Sequence, residues 1–202
     1  MRIPHLIYIF IFCLAIPTLV FAENEGLVID DFECPIVGGL DGTVDFGSGG
    51  DSSIEVTAAT DIKYSGNQSM KIVYNAAPGG YMWIARGFDL DAANAQWLIK
   101  PQDIDWAQYS AISFYMYGSD SKAKIAFDIK DNGNEMWRFM IEDNFQGWKK
   151  ITCSFNEFFA RGDWQPHNAD KNANLNFPIK SFQFEPLPAA EGTVYFDDVS
   201  LL

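Results

Sequence analysis

The sequence of 202 residues predicts an all-β protein built as a sandwich of two antiparallel sheets. Three observations support this prediction. Short runs alternate apolar and polar residues with a period of two, as strands with one buried face do. Glycine, asparagine, aspartate and proline separate these runs. Long stretches with helical periodicity are nearly absent.

The predicted strands follow one another along the chain. Their spans are 27–33, 69–74, 81–88, 111–117, 124–130, 135–142, a run that starts at 147, 179–185 and 193–201. Residues 38–50 are rich in glycine and aspartate and are predicted to form turns. The DNGN segment at 131–134 is a strong hairpin turn. Residues 89–107 and 160–176 lack a strand pattern, and irregular loops of that length in a compact domain are often functional.

The alternation gives each strand a core face and an outer face. In the strand at 124–130, isoleucine and phenylalanine side chains point to the core and Asp128 points away from it. The same rule places Tyr115, Tyr117 and Gln183 on outer faces. These groups are large or form hydrogen bonds, which indicates a functional surface.

The first 22 residues have the features of a secretory signal peptide. Arg2 supplies a positive start, residues 6–20 form an almost unbroken apolar run, and Ala22 ends a small-residue cleavage site. The run is shorter than the ~20 apolar residues of a spanning helix, although a retained anchor is the alternative. We expect cleavage after Ala22, one domain over residues 23–202, and a secreted or periplasmic location.

Charge narrows the range of partners. The formal net charge is −13 and the pI is about 4.4. Because nucleic acids and anionic membranes are bound by cationic surfaces, neither is expected as a partner. Neutral polymers and cations remain compatible with this charge as partners. The aromatic content of 15% is high enough to supply a stacking surface as well as a core.

Two cysteines lie outside the predicted signal peptide, Cys34 and Cys153. A secreted protein can oxidise such a pair. Whether they form a disulfide or stay as free thiols is open at this level. The sequence also carries no signal for an oligomeric state.

Five segments resemble one known family, in the family's order. They read VIDDFE at 28–33, YSGNQSMKI at 64–72, DWAQYSAISF at 105–114, GWKKI at 147–151 followed by Phe155 and Phe158, and YFDDVSL at 195–201. Together they are similar to the family 11 carbohydrate-binding modules, which are galactose-binding-like jelly-roll proteins. The complex I intermediate-associated protein family shares much of the same pattern.

The resemblance implies a jelly-roll β-sandwich with a concave face that binds β-glucan without altering it. Such modules usually accompany a catalytic domain, which this chain does not carry, so a free-standing polysaccharide-capture protein is one implied role. The second family implies an alternative, a protein-interaction or assembly module of the same fold. The predicted signal peptide argues against that intracellular role.

A sugar-binding face needs flat aromatic rings for the apolar side of the pyranose and polar groups for its hydroxyl groups. The predicted stacking residues are Tyr81, Trp83, Tyr115, Tyr117 and Trp137. The predicted hydrogen-bonding residues are Asp128, Arg138 and Gln183. Trp137 and Arg138 are neighbours in one strand and point to opposite faces unless a bulge intervenes. Burial in the core is the alternative for each ring.

A calcium site is the second candidate. Acids lie in the predicted first strand and in the last, which are neighbours in a jelly roll, so a cation would relieve their repulsion. Ca²⁺ takes carboxylate and carbonyl oxygens. The resemblance implies a structural calcium at Asp31, Glu33 and Asp198, with Asp197 as an alternate ligand. Solvated surface acids are the alternative.

Catalytic patterns are weak. His167 is the one histidine after the predicted signal, and it has no serine or cysteine partner in a recognisable motif. Asp103 and Asp105 have alternate spacing but lie in a loop. We therefore predict that the protein is not an enzyme. A small sandwich glycoside hydrolase or lyase is the alternative, because sequence hides distant carboxylate pairs.

Overall fold

The computed structural model describes residues 26–202, so the predicted signal peptide at 1–22 lies outside the described residues. Those residues form twelve β-strands and three short 3-10 turns, and no α-helix. The turns are Pro101–Asp103, Trp106–Gln108 and Phe155–Glu157. None of the helical segments in residues 26–202 has the length and hydropathy of a membrane span.

Six strands form the back sheet. They are β1 (Leu27–Asp30), β3 (Ser53–Ala59), β4 (Ser69–Ala76), β6 (Ala111–Ser119), β9 (Gln146–Ser154) and β12 (Ala190–Leu201). The order is β3-β4-β12-β6-β9, and every pairing is antiparallel. The first strand pairs with the end of β12, with Leu27 opposite Leu201, so the two ends of the described chain are neighbours.

The other six strands form the front sheet. They are β2 (Asp45–Gly49), β5 (Tyr81–Gly87), β7 (Lys124–Lys130), β8 (Met136–Glu142), β10 (Phe159–Ala160) and β11 (Ser181–Pro186). The order is β10-β8-β7-β11-β5-β2, again antiparallel throughout.

Phenylalanine rings join the two sheets. Phe184 of the front sheet stacks on Phe196 of the back sheet, with centroids 3.7 Å apart. Phe114 of the back sheet meets Phe127 and Phe184 at 4.6 and 5.0 Å. All four are fully buried. Removing such a ring costs about 3–5 kcal/mol of unfolding free energy, so these contacts fix the two sheets against each other.

The predicted fold class of two antiparallel sheets is confirmed, and the strand at 124–130 has the predicted bounds. The first predicted strand ends early, at Asp30. The Asp30 carboxylate accepts a hydrogen bond from the Phe32 N–H at 3.1 Å, and Phe32 adopts a φ of 53°, which turns the chain.

Three strands differ from the prediction. Residues 38–50 were expected to be turns only, but Asp45–Gly49 forms the edge strand β2. Ser53–Ala59 and Phe159–Ala160 also form strands that the prediction lacks. In each case backbone pairing with a neighbouring strand supplies the order that the local sequence does not reveal.

The two cysteines are not joined. Cys153 is buried on the core side of β9, where burial raises the pKa of its thiol, and Cys34 is half-buried. Cys34 Sγ accepts a hydrogen bond from Arg86 Nη1 at 3.3 Å. The structure therefore decides between the two readings in favour of free thiols.

Candidate functional site

The outer surface of the front sheet, called the front face here, carries most of the predicted binding residues. Because opposite residues in antiparallel strands share a face, the registers place side chains in rows across the sheet. One row runs Asp45, Ala85, Gln183, Asp128, Arg138 and Phe159 from edge to edge. A second row places Gly47 beside Trp83.

Two aromatic rings lie at one side of the front face. Tyr81 is 57% exposed and Trp83 is half-buried, and their planes are nearly parallel, at 13°, with centroids 6.3 Å apart. Trp83 Nε1 donates a hydrogen bond to Asp45 Oδ1 at 3.0 Å. Each ring lies directly over a glycine of β2, Trp83 over Gly47 and Tyr81 over Gly49. We call this pair of rings the platform.

A buried charge network lies beside the platform. Arg138 binds Asp128 in bidentate fashion, with Nε to Oδ1 and Nη2 to Oδ2 both at 2.8 Å. The same Nη2 donates to Glu185 Oε2 at 2.6 Å. Gln183 Nε2 also donates to Glu185, at 3.4 Å. Asp128, Glu185 and Arg138 are all buried although they lie on the outer face, so another part of the chain covers them.

Arg161 is part of that cover. It lies just after β10, and its Nη1 contacts both Asp128 Oδ2 and Glu185 Oε2 at 2.9 Å. Its Nε and Nη2 bind the two oxygens of Asp163 at 2.8 and 3.0 Å. Its guanidinium lies 5.7 Å from the centre of the Trp164 ring, which is 55% exposed. The loop at 161–165 thus brings a second exposed ring next to the network.

The network shifts the pKa values of several of its members. A hydrogen bond from Arg161 lowers the pKa of Asp163 to about 2. Burial alone would lower the pKa of Arg138, but Asp128 and Glu185 outweigh it and the pKa is raised. Burial raises the pKa of Glu185, against the pull of the two arginines. Two cations and three acids therefore form a largely paired group.

Sequence reasoning missed part of this site. Arg161, Asp163 and Glu185 were not among the predicted binding residues. Length was the signal that pointed to residues 160–176. The position of this loop in the fold is not visible in the sequence. Gln165 holds the loop against β8, because its side-chain amide accepts the N–H of Met136 and donates to the Met136 carbonyl.

Tyr115 and Tyr117 do not belong to this surface, so their predicted place beside Tyr81 and Trp83 is wrong. Both lie on β6 and face outward from the back sheet. There they join a ring cluster: Tyr64 stacks on Tyr115 at 3.4 Å, and Tyr117 meets Trp148 and Tyr195 edge-on at 5.5 and 5.7 Å. We call this outer surface of the back sheet the back face.

Trp137 is also absent from the front face. It is 7% exposed on the core side of β8, where Nε1 donates to Asp131 Oδ2 at 3.2 Å. Arg138 points the other way, as expected for adjacent residues without a bulge. The prediction of Trp137 as a stacking residue is therefore wrong, because the strand puts it in the core.

Three of the four acids predicted to bind calcium, Glu33, Asp197 and Asp198, contact the loop at 64–68. Glu33 accepts hydrogen bonds from the N–H groups of Asn67 and Gln68 at 2.8 and 3.1 Å. Asp197 Oδ2 accepts those of Tyr64 and Ser65 at 2.9 and 3.2 Å, and burial raises its pKa to about 6.

These acids do not form a ready metal cage. Asp31 accepts the Glu33 N–H at 3.1 Å, and burial together with Asp31 and Glu33 raises the pKa of Asp198. Within residues 26–202 no group of three histidine, cysteine, aspartate or glutamate residues could hold a metal ion. The carboxylates of Asp31, Glu33 and Asp197 accept hydrogen bonds from backbone N–H groups instead, and calcium binding stays a prediction.

A two-sheet sandwich with exposed rings and a hydrogen-bonding network on one face is the architecture of a carbohydrate-binding module. The family model for the carbohydrate binding domain of family 11 matches residues 20–202. The chain therefore belongs to family 11 of the carbohydrate-binding domains, and the resemblance seen in the sequence is confirmed.

Solved structures agree with this assignment. One is a family 11 carbohydrate-binding module from Clostridium thermocellum in complex with a β-1,3-1,4-mixed-linked tetrasaccharide, with a TM-score of 0.66 and 25% identity, covering 87% of this chain and 94% of that one. The family 11 module of a cellulosomal cellulase from the same organism has a TM-score of 0.66, 22% identity and coverage of 88% and 94%.

A third similarity, like the second at 22% identity, shows the fold alone. A β-1,2-glucanase from Parabacteroides distasonis has a TM-score of 0.52 and 16% identity, covering 88% of this chain and 24% of that one. No curated protein sequence matches this chain significantly.

Proposed function

We propose that the front face binds a neutral β-linked glucan chain and that the protein does not cleave it. The observation that carries the proposal is the platform of Tyr81 and Trp83 beside the network of Asp128, Arg138 and Glu185. The rings suit the apolar side of a pyranose, and the exposed Asp163 and half-buried Gln183 at the edge of the network suit hydroxyl groups. The mixed-linked glucan in the similar Clostridium thermocellum complex supports the choice of ligand class.

Affinity electrophoresis tests this proposal. The purified protein should be retarded in gels that contain mixed-linked β-glucan and should migrate normally in gels with an anionic polysaccharide. A protein with net charge −13 is repelled by an anionic polymer, so charge reinforces the distinction. Equal migration in all gels would remove the proposed function.

The geometry of the acids supports a non-catalytic role. A retaining glycosidase needs two carboxylates about 5–5.5 Å apart with room for the glycosidic bond. Asp128 and Glu185 are both acids of the front face, but Arg161 Nη1 contacts both of them, at 2.9 Å from each. Their lone pairs are held in ion pairs. Release of reducing ends or unsaturated products from a polysaccharide panel would contradict this role and favour a hydrolase or lyase.

A role as a protein-interaction module of the same fold is a second candidate, and the sequence pattern is its sole support. No surface of the described residues favours it over a sugar ligand. Co-purification of a defined protein partner, together with failure to bind glycans, would favour the protein-interaction role over glycan binding.

We also keep a structural calcium as a proposal. Asp31 and Glu33 both raise the pKa of Asp198, so negative charge accumulates at this end of the sandwich. Ca²⁺ can draw on backbone carbonyls as well as acids, so fewer than three carboxylates can suffice. A melting temperature that falls on addition of a chelator and recovers with excess Ca²⁺ supports the proposal. An unchanged melting temperature refutes it.

We further propose a secreted or periplasmic location, on the basis of the apolar run at 6–20 and the small residue Ala22. N-terminal sequencing of the protein from its native source should give a chain that begins at Glu23. A chain that retains Met1 would contradict this.

A further inference from the structure

Two glycines of the edge strand β2 alternate on the front face, and the backbone does not require them. Gly47 and Gly49 do not adopt positive φ values, unlike seven other glycines of the described residues. Glycine weakens a strand interior, because it loses more conformational freedom than other residues and has no side chain to pack. The two positions therefore need a reason that lies outside the strand itself.

The platform supplies that reason. A Cβ atom at Gly47 would lie 2.5 Å from Trp83 Cη2 and 2.6 Å from Cζ2. A Cβ atom at Gly49 would lie 2.5 Å from both Cζ and Oη of Tyr81. Contacts this short do not occur, and the atoms involved belong to rigid rings. Any other residue would lift the rings off the strand.

Asp45 completes the arrangement on the same strand. Its Oδ1 accepts the Trp83 Nε1–H at 3.0 Å, and its Oδ2 accepts the Asp91 N–H at 2.9 Å. The indole is thus held by one edge while Gly47 leaves space beneath it. One side of the indole therefore lies against the backbone of β2, and Trp83 stays partly exposed.

We propose that Gly47 and Gly49 are positioning residues of the binding platform. They keep the rings of Trp83 and Tyr81 flat on the sheet and nearly parallel, so that the pair meets the apolar faces of consecutive sugar units in an extended chain. This inference rests on the proposed function and deepens it. The ligand it selects is an oligosaccharide that spans both rings rather than a single sugar.

The flat platform predicts a dependence on chain length. Binding to the wild-type protein should strengthen from a β-linked disaccharide to a tetrasaccharide, because the longer chain covers both rings. Gly47→Ala should weaken tetrasaccharide binding about tenfold, which is the loss of one aromatic contact. Gly192→Ala is the matched control: Gly192 lies in β12 of the back sheet, away from the platform, and an added Cβ atom would come no closer than 3.2 Å to Tyr74 Oη, so affinity should not change.

A double-mutant cycle separates positioning from general damage to the strand. In a Trp83→Ala background the ring is gone, so Gly47→Ala should have no further effect on affinity measured by calorimetry. The indole N–H resonance of Trp83 should also shift in Gly47→Ala, because its bond to Asp45 is disturbed. The melting temperature of each variant identifies any that fail to fold, and Gly49→Ala, paired with a Tyr81→Ala background, then serves as a second variant.

The possible outcomes are distinct. Tenfold weaker binding by Gly47→Ala that disappears in the Trp83→Ala background supports the inference. Unchanged affinity in Gly47→Ala, or equal losses in both backgrounds, overturns the inference and leaves the proposed function intact. A wild-type protein that binds no β-glucan removes the proposed function and this inference with it.

Discussion

Both outer faces of this sandwich carry aromatic residues, but they hold their rings differently. On the front face, Tyr81 and Trp83 lie against glycines of β2 and stay partly exposed. On the back face, the Tyr115 ring is covered by Tyr64, and Tyr117 packs edge-on against Trp148. The back-face rings therefore use their surfaces on one another, as cross-strand pairs do.

The comparison shows that aromatic residues at outer strand positions do not define a sugar site by themselves. The residues that pack below and above an aromatic ring decide whether one side of that ring is accessible to a sugar. The polar neighbours differ as well: the front face has the paired network around Asp128, whereas the buried hydroxyl of Ser113 on the back face has no hydrogen-bond partner among the described residues.

The largest expected difference between the faces concerns their buried polar groups. Asp128→Ala removes one of the two buried carboxylates that Arg138 and Arg161 share, and breaking a buried pair in this way costs about 3–5 kcal/mol of unfolding free energy. Ser113→Ala is the matched change on the back face and should alter the free energy by less than about 0.5 kcal/mol, since no bond is lost. Urea denaturation measures both. Similar losses of unfolding free energy in the two variants would contradict this energetic difference between the front and back faces.

Affinity gives the next largest contrast. Trp83→Ala should weaken β-glucan binding about tenfold, corresponding to about 1.4 kcal/mol, because one open ring is lost. Tyr117→Ala should leave binding unchanged. Calorimetry with a mixed-linked tetrasaccharide measures both values. A weaker affinity in Tyr117→Ala would show that the back face also contacts the ligand.

The stacked pair on the back face predicts the reverse pattern. Tyr64→Ala removes the ring that covers Tyr115 and should lower the unfolding free energy by about 1 kcal/mol. Its affinity for glucan should equal that of the wild type. Thermal unfolding and affinity electrophoresis together check this. Loss of affinity at unchanged stability would assign Tyr64 to a binding surface.

The smallest expected effect concerns Asp163. Its folded pKa, lowered to about 2 by Arg161, is below the ordinary value of 3.8, so the ionised form stabilises the fold above pH 3.8 and the gain is lost as pH falls towards 2. The side chain is 58% exposed, so solvent limits the gain to a few tenths of a kcal/mol. Asp163→Asn should therefore be slightly less stable than wild type at pH 7, and equally stable near pH 2. A difference that grows on acidification would contradict the assigned shift.

Alternation of apolar and polar residues predicted the orientation of side chains well. It placed Asp128 and Gln183 on an outer face and predicted that Trp137 and Arg138 diverge, which the registers confirm. This works because the period of a strand is a local property of the backbone.

Membership of a sheet is not local, and it is there that the sequence reading of the site failed. β6 and β7 follow each other along the chain, yet β6 joins the back sheet and β7 the front. Tyr115 and Asp128 were therefore assigned to one surface although the core separates them. Arg161 was missed for a similar reason, since its position depends on tertiary contacts of its loop.

The separation of faces within each front strand has a practical consequence for protein engineering. In β11, Gln183 faces outward while its neighbours Phe182 and Phe184 fill the core. In β8, Met140 faces outward and Ile141 inward. A library randomised at Gln183 and Met140 would vary the lining around the ligand while leaving every core contact in place, which makes the front sheet a suitable scaffold for selecting new glycan specificities.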